Sequence, residues 1–96
     1  MSVWFNRILP LSRSGLLQVS ILHLLPGGEQ PRFLSHEGEE FIYVLDGTLQ
    51  VIVEDQTYAV QAGTGIAFAS TREHRYSNTG TETVRAFWVN TPPTSG

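Results

Sequence analysis

The sequence of 96 residues contains no cysteine. Disulfide bonds, thiolate metal sites and cysteine nucleophiles are therefore excluded. Lysine is also missing: the six basic residues are all arginine, they are scattered along the chain, and nine acidic residues bring the net charge to −3. A chain with this charge has no basic field to hold a phosphate backbone, so we expect no nucleic-acid binding by this chain alone.

Long apolar runs are missing as well. The chain has no stretch of about 18 apolar residues of the kind that spans a membrane. The first residues, MSVWFNRILPLSRSG, lack the basic start and the unbroken apolar run of a secretory signal. We therefore expect no membrane association and a soluble protein in the cytoplasm.

The length of the chain allows one hydrophobic core. We predict a single domain over residues 1–96, with its core at about 16–93. A domain of this size buries only about 60–65% of the surface of its unfolded chain. Aromatic residues crowd the two ends of the sequence, at Trp4, Phe5, Phe87 and Trp88. A second copy would cover such apolar surface, so we predict a homodimer.

The sequence is typical of a series of short strands. The run LLQVSILHLL at 16–25 is rich in strand-forming residues and stops at Pro26-Gly27-Gly28. The run EFIYVL meets Asp46-Gly47 and continues as TLQVIVE, which predicts a hairpin of two adjacent antiparallel strands. Turn signals recur every 8–12 residues or so, and no stretch is typical of a helix. We predict an all-β fold, an antiparallel jelly-roll barrel with an irregular tail over 91–96.

Alternation along the chain indicates a carboxylate inside this barrel. Residues two apart in an extended segment share a face, so Leu34, His36 and Glu40 would point together. Ile42 and Val44 continue that face into an apolar interior. A carboxylate there is costly unless a cation, a metal or hydrogen-bond donors meet it. The alternative is a local twist or bulge that turns Glu40 towards water.

The other two histidines are weaker candidates when spacing alone is considered. Alternation places His74, Tyr76 and Asn78 on one face, and His23 lies inside an apolar run. A lone histidine in either position is more often a hydrogen-bonded core residue than a metal ligand.

Two segments resemble the two motifs of the cupin superfamily. The segment SHEGEEFIYVLDG carries His36, Glu40 and Gly47 at the spacing of the later part of the first motif. In the second segment, the glycine, the histidine and the asparagine of the motif fall at Gly63, His74 and Asn78. The resemblance extends over about 16–93 of the sequence. It implies the cupin double-stranded β-helix, which is a jelly-roll barrel.

The resemblance also implies a metal site with a reduced set of ligands. Cupins usually have a further histidine where this sequence has Leu34. Three ligands remain, His36, Glu40 and His74, and such a set suits a divalent transition metal: iron, manganese, nickel or zinc. In the alternative without a metal, the three side chains hydrogen-bond to each other or to water.

The non-histidine at position 34, together with VNTPP near the end, resembles the cupin domains attached to helix-turn-helix regulators. That resemblance implies a sensor-like domain that binds a small molecule. The lining expected from strand alternation, apolar with a few polar groups, predicts a partly apolar ligand with an anionic or carbonyl oxygen. We expect its pocket to be lined by Leu34, Ile42, Val44 and Tyr76. Two alternatives stay open: a metal-dependent enzyme, either an oxygenase or an isomerase, and a structural barrel with a vestigial pocket.

Overall fold

The described residues form eight strands, all of which pair in antiparallel fashion. The computed structural model describes residues 2–9 and 15–93. In chain order the strands are β1 (Val3–Leu9), β2 (Gln18–Leu24), β3 (Glu39–Asp46), β4 (Thr48–Val53), β5 (Gln56–Gln61), β6 (Gly65–Ala69), β7 (His74–Ser77) and β8 (Val84–Thr91). Over these ranges there is no helix that is long and apolar enough to cross a membrane. The predicted all-β, antiparallel fold is confirmed.

The strands form two sheets that share one core. The larger sheet has the order β1-β2-β8-β3-β6, and the smaller has the order β5-β4-β7. Burial alternates along β2, β3 and β8, so every second side chain of these strands faces the interior. The apolar core consists of Leu22, Leu24, Ile42, Val44, Leu49, Val51, Val53, Val60, Phe68, Tyr76, Val84, Ala86 and Trp88.

The interior of the barrel is polar at one end and apolar at the other. Strand register sets Gln18, Asn90 and Glu40 side by side across β2, β8 and β3, and all three side chains are buried. Four residues further along the same strands, the corresponding row is apolar and consists of Leu22, Ala86 and Val44. The buried polar groups therefore gather where β3 begins.

The predicted hairpin at Asp46-Gly47 is wrong. β3 pairs with β6 and β8, whereas β4 pairs with β5 and β7, so the chain passes from one sheet to the other at this point. Gly47 has a φ of 78°, and the register of β3 against β8 slips between Val44 and Asp46. β3 and β4 each carry a buried apolar face, and the corner between them lets these two faces oppose each other across the core. The tight hairpin of this region lies at Glu54-Asp55, between β4 and β5.

The chain loses regular structure after β8. Thr91, the first residue of the predicted irregular tail, is instead the last residue of β8, where it pairs with Glu39, and Pro92 and Pro93 follow it outside any strand. The remainder of the predicted irregular tail, residues 94–96, lies outside the described residues. The single domain over 1–96 stays a prediction.

Candidate metal and ligand site

Three segments bring the candidate ligands together at the polar end of the barrel. Glu40 is the second residue of β3 and faces inward, and His74 is the first residue of β7 and also faces inward. His36 precedes β3 in a segment that is tied to Ser70. The His36 amide donates to the Ser70 carbonyl at 2.9 Å, and the Ser70 amide donates to the Gly38 carbonyl at 2.8 Å.

The two imidazoles converge on one carboxylate oxygen. Nε2 of His36 lies 2.7 Å from Oε1 of Glu40, and Nε2 of His74 lies 2.9 Å from the same oxygen. Each of the three residues offers one ligand atom, and these atoms all lie within 4.8 Å of one another. The structure thus joins all three residues that the sequence analysis names as metal ligands.

The other ring nitrogen of each histidine is held by the backbone. Nδ1 of His36 is 3.2 Å from the carbonyl oxygen of Glu37, and Nδ1 of His74 is 2.8 Å from that of Arg72. A carbonyl oxygen only accepts, so each Nδ1 carries a proton, and Nε2, whose own proton depends on the charge of the ring, is the atom that faces Glu40. Metal-binding histidines in proteins are commonly oriented in this way. The donor set therefore fits a divalent metal held by two imidazoles and one carboxylate.

The second carboxylate oxygen of Glu40 is also fully engaged. The hydroxyl of Tyr76 donates to Oε2, and Nε1 of Trp88 donates to it at 3.2 Å. Glu40 is only 2% exposed, which confirms that it points inward, and the alternative in which it turns towards water is wrong. A buried carboxylate needs polar partners, and Glu40 has them: two donors at Oε2 and two imidazole nitrogens at Oε1.

The electrostatics of the cluster favour an ionised carboxylate. Burial by itself raises the pKa of Glu40, but the hydrogen bonds from His74 and Tyr76 and the charge of His74 lower that pKa overall. Burial lowers the pKa of His74, yet the hydrogen bonds to Glu40 and to the Arg72 carbonyl raise it overall. Burial, followed by the charge of Glu40, raises the pKa of Tyr76 well above its ordinary value, so its hydroxyl remains a donor.

The four expected pocket residues occupy different depths. Leu34 is partly buried, and its amide and carbonyl both pair with those of His74 at 2.9 Å. Directly opposed residues of antiparallel segments share a face, so Leu34 lies beside His74. Tyr76 contacts Glu40, whereas Ile42 and Val44 are fully buried in the core further along β3.

Phe68 and Trp88 escape prediction from the sequence. From the sequence, Trp88 is one of the aromatic residues near the chain ends that predict a homodimer. In the structure it is buried on the inner face of β8 and donates to Glu40. Alternation in AFWVN places Ala86, Trp88 and Asn90 on one face, which is the signal that identifies it. The ring of Phe68 lies 5.1 Å from that of His74.

His23 takes no part in this cluster. It lies on the outer face of β2, where its ring stacks on Trp4 at 4.8 Å and Nε2 is 3.1 Å from the side-chain nitrogen of Asn6. A groove of about 280 Å³ is also separate from the cluster. It is lined by Gly47, Thr48, Gln50 and residues 78–82, at the end of β3 opposite to Glu40.

The chain matches a family model and a curated protein. The Cupin_2 model, which describes a cupin domain, matches residues 20–90. Over 79 residues the chain is 29% identical to the polyketide synthase CurC of Streptomyces cyaneus. This match covers 82% of the chain and 50% of CurC, so the chain spans half the length of that curated relative.

The fold is similar to that of domains solved in transcriptional regulators. The Cupin_2 domain of an XRE family transcriptional regulator from Enterobacter cloacae has a TM-score of 0.88 and 19% identity, covering 98% of this chain and 100% of that chain. An HTH_3 family transcriptional regulator from Vibrio cholerae has a TM-score of 0.82 and 23% identity. That match covers 97% of this chain and 52% of the regulator.

Proposed function

The chain belongs to the cupin-domain family Cupin_2, and from this premise we propose that it binds a small oxygen-containing molecule at a divalent metal held by His36, Glu40 and His74. The role is sensor-like: the domain recognises its ligand and does not turn it over rapidly. The proposal rests on one observation, which is that two imidazole Nε2 atoms converge on one oxygen of a buried carboxylate. The likeness in fold to domains of transcriptional regulators supports the sensing role.

Each residue of the cluster has a distinct task in this proposal. His36 and His74 hold the metal through Nε2, and Glu40 holds it through Oε1. Tyr76 and Trp88 donate to the other oxygen of Glu40 and so set the orientation of the carboxylate. The bound metal would supply a Lewis acid that coordinates an oxygen of the ligand.

The ligand would reach the site from the side of His36. That side chain is 22% exposed, whereas the other two members of the cluster are 1% exposed. Leu34 would form an apolar wall next to this opening. Ile42 and Val44 would close the inner end of the pocket, and Tyr76 would line it while its hydroxyl donates to Glu40. A pocket of apolar walls and few polar groups suits a partly apolar molecule with one anionic or carbonyl oxygen.

Metal titration is the direct test. We expect iron(II), manganese, nickel or zinc to raise the thermal stability of the protein, because an ion that binds only the folded chain adds about 2.7 kcal/mol at a hundred times its dissociation constant. His74→Ala should remove this stabilisation, while the control His23→Ala should keep it. Calorimetry that finds no dissociation constant tighter than millimolar for any of the four metals would contradict the proposal.

A fourth imidazole should strengthen the site. Leu34 is paired with His74 through the backbone and lies on the same face, so Leu34→His places an imidazole beside the metal ligands. We expect metal affinity to increase at least about tenfold, which corresponds to about 1.4 kcal/mol. The matched control is Phe33→His, because alternation puts Phe33 on the opposite face, where it is 40% exposed. Equal affinities for the two variants in calorimetric titration would count against this geometry.

A ligand screen separates sensing from catalysis. Small carboxylates and other metabolites are tested for thermal stabilisation of the metal-loaded protein, and each compound that binds is then followed for chemical change. The sensor-like role predicts stable binding. A three-ligand site leaves open coordination positions, so catalysis at the metal is chemically possible. The enzyme alternative is an oxygenase or an isomerase, and steady turnover of a bound compound would favour it.

The outer face of the larger sheet supports the proposed homodimer. Phe41, Tyr43 and Phe87 are 37–42% exposed there. Register aligns two apolar rows across β3, β8 and β2: Tyr43, Phe87 and Ile21, followed by Phe41, Val89 and Val19. With strands about 4.8 Å apart and the rows about 6.8 Å apart, this patch covers about 200 Å², so an interface of roughly 800 Å² per partner would extend beyond it over the larger sheet. We propose that a second copy of the chain packs its own larger sheet against this face.

A charge at the centre of this face should separate the two copies. Phe87→Arg introduces an unpaired charge between Tyr43 and Ile21, and we expect dimer affinity to fall about thirtyfold or more. Tyr58→Arg is the control, since Tyr58 is equally exposed but lies on β5 of the smaller sheet. The solution mass is measured by sedimentation at micromolar concentration. A wild-type mass equal to one chain would overturn the dimer.

A further inference from the structure

Ser70 carries a buried hydroxyl that the proposed function does not use. It follows β6 directly, and its residue exposure is 0%. Its Oγ has no hydrogen-bond partner among the described residues. A buried hydroxyl without a partner costs more free energy than an ordinary hydrogen bond contributes, so such groups are rare and call for an explanation.

The position of Ser70 provides that explanation. Burial along β6 alternates from Ile66 to Phe68 to Ser70, which places Ser70 on the inner face of the strand. Phe68, two residues earlier on this face, lies against the ring of His74. The carbonyl of Ser70 accepts the amide of His36 at 2.9 Å. Ser70 is thus bonded through its backbone to the segment of His36, and its inward-facing side chain lies two residues from the ring that packs on His74.

We propose that the Ser70 hydroxyl is a ligand-binding group that donates a hydrogen bond to a second oxygen of the metal-bound molecule. This inference rests on the proposed function and narrows it to a class of ligand. A carboxylate has two oxygens on one carbon, so one oxygen coordinates the metal while the other accepts from Ser70. The site would therefore select small carboxylates over ligands that offer a single donor atom.

The test compares two ligands on the zinc-loaded protein. Acetate has a second oxygen for Ser70 to bind, whereas imidazole coordinates zinc through one nitrogen and has no oxygen. In Ser70→Ala we expect acetate affinity to fall about tenfold, as is usual for the loss of one hydrogen bond to a charged group. Zinc affinity and imidazole affinity should stay within about twofold of wild type.

The thermal stability of the metal-free protein is a second measurement, and here Ser70→Ala is expected to do no harm. Ser70→Ala removes an unsatisfied buried group, so its melting temperature in the presence of a chelator should be equal to that of wild type or several degrees higher. Ser77→Ala is the control: Ser77 is also buried, but alternation places it on the face of β7 opposite to His74. In that control, acetate affinity should not change.

The outcomes separate this inference from the proposed function. If wild type fails to bind zinc, the metal site itself is wrong, and the role of Ser70 falls with it. If wild type binds both zinc and acetate but Ser70→Ala leaves acetate affinity unchanged, or lowers imidazole affinity equally, only the role of Ser70 is wrong. A Ser70→Ala variant that melts several degrees lower or does not fold would make the hydroxyl structural, which also overturns the inference.

Discussion

Replacing Glu40 with alanine is expected to abolish divalent-metal binding and to lower the free energy of unfolding by about 3–5 kcal/mol, the usual cost of removing one partner from a buried ion pair. The carboxylate is the common acceptor of the whole cluster. Its loss leaves the hydroxyl of Tyr76 and Nε1 of Trp88 without an acceptor. It also removes the oxygen that Nε2 of both histidines contacts. The protonated form of His74 would lose its counter-charge at the same time.

Two further variants define the cause of this effect. Glu39→Ala removes a neighbouring carboxylate that is exposed on the other face of β3, so its effect should stay within about 0.5 kcal/mol. Glu40→Gln keeps the shape of the side chain but turns an amide nitrogen towards donors, and we expect an intermediate loss of about 2–3 kcal/mol. Urea unfolding in the presence of a chelator gives these values without any contribution from metal. A loss below about 1 kcal/mol for Glu40→Ala would show that the cluster does not stabilise the fold.

Features that are local in the sequence predict most of the fold. Alternation in EFIYVL indicates which side chains of β3 face the core, and Glu40, Ile42 and Val44 are all buried. The spacing of the two cupin-like motifs predicts the jelly-roll barrel, which the family match to residues 20–90 confirms. Such signals suffice because burial on one face of a strand repeats every two residues.

The partners of Glu40 are harder to predict because they are distant in sequence. Tyr76 lies 36 residues from Glu40 and Trp88 lies 48 residues from it. Which residues meet across a barrel depends on the register of several strands at once, and a shift by one residue would turn each side chain to the other face. The corner at Asp46-Gly47 is hard to predict for a related reason: the same turn residues suit a hairpin and a change of sheet.

The segment between the first two ligands shows how the backbone sets the site. Simple alternation puts His36 and Glu40 on one face of an extended strand, but β3 begins only at Glu39. Gly38 has a φ of 108°, so the chain bends before the strand starts. His36 and Glu40 still meet at 2.7 Å, and they do so through this bend.

Gly38→Ala should therefore be the most damaging glycine substitution near the site. A Cβ at this position would overlap the carbonyl oxygen of Thr91 and lie 2.8 Å from the carbonyl carbon of that residue, which is backbone of β8. The left-handed φ adds strain for any residue with a Cβ. We expect the free energy of unfolding to fall by about 3 kcal/mol or more. Metal affinity should fall as well, because the bend must shift and His36 moves with it.

Gly63→Ala is the control that separates the steric overlap at position 38 from the backbone strain that both variants share. Gly63 has a similar φ of 86°, but a Cβ there would meet nothing within 4 Å. This variant experiences only the backbone strain, about 1–2 kcal/mol, and its metal affinity should equal that of wild type. Urea unfolding with chelator and calorimetric metal titration are measured on both variants. If Gly38→Ala loses no more stability than Gly63→Ala and still binds metal like wild type, the close packing of the bend against β8 does not position His36.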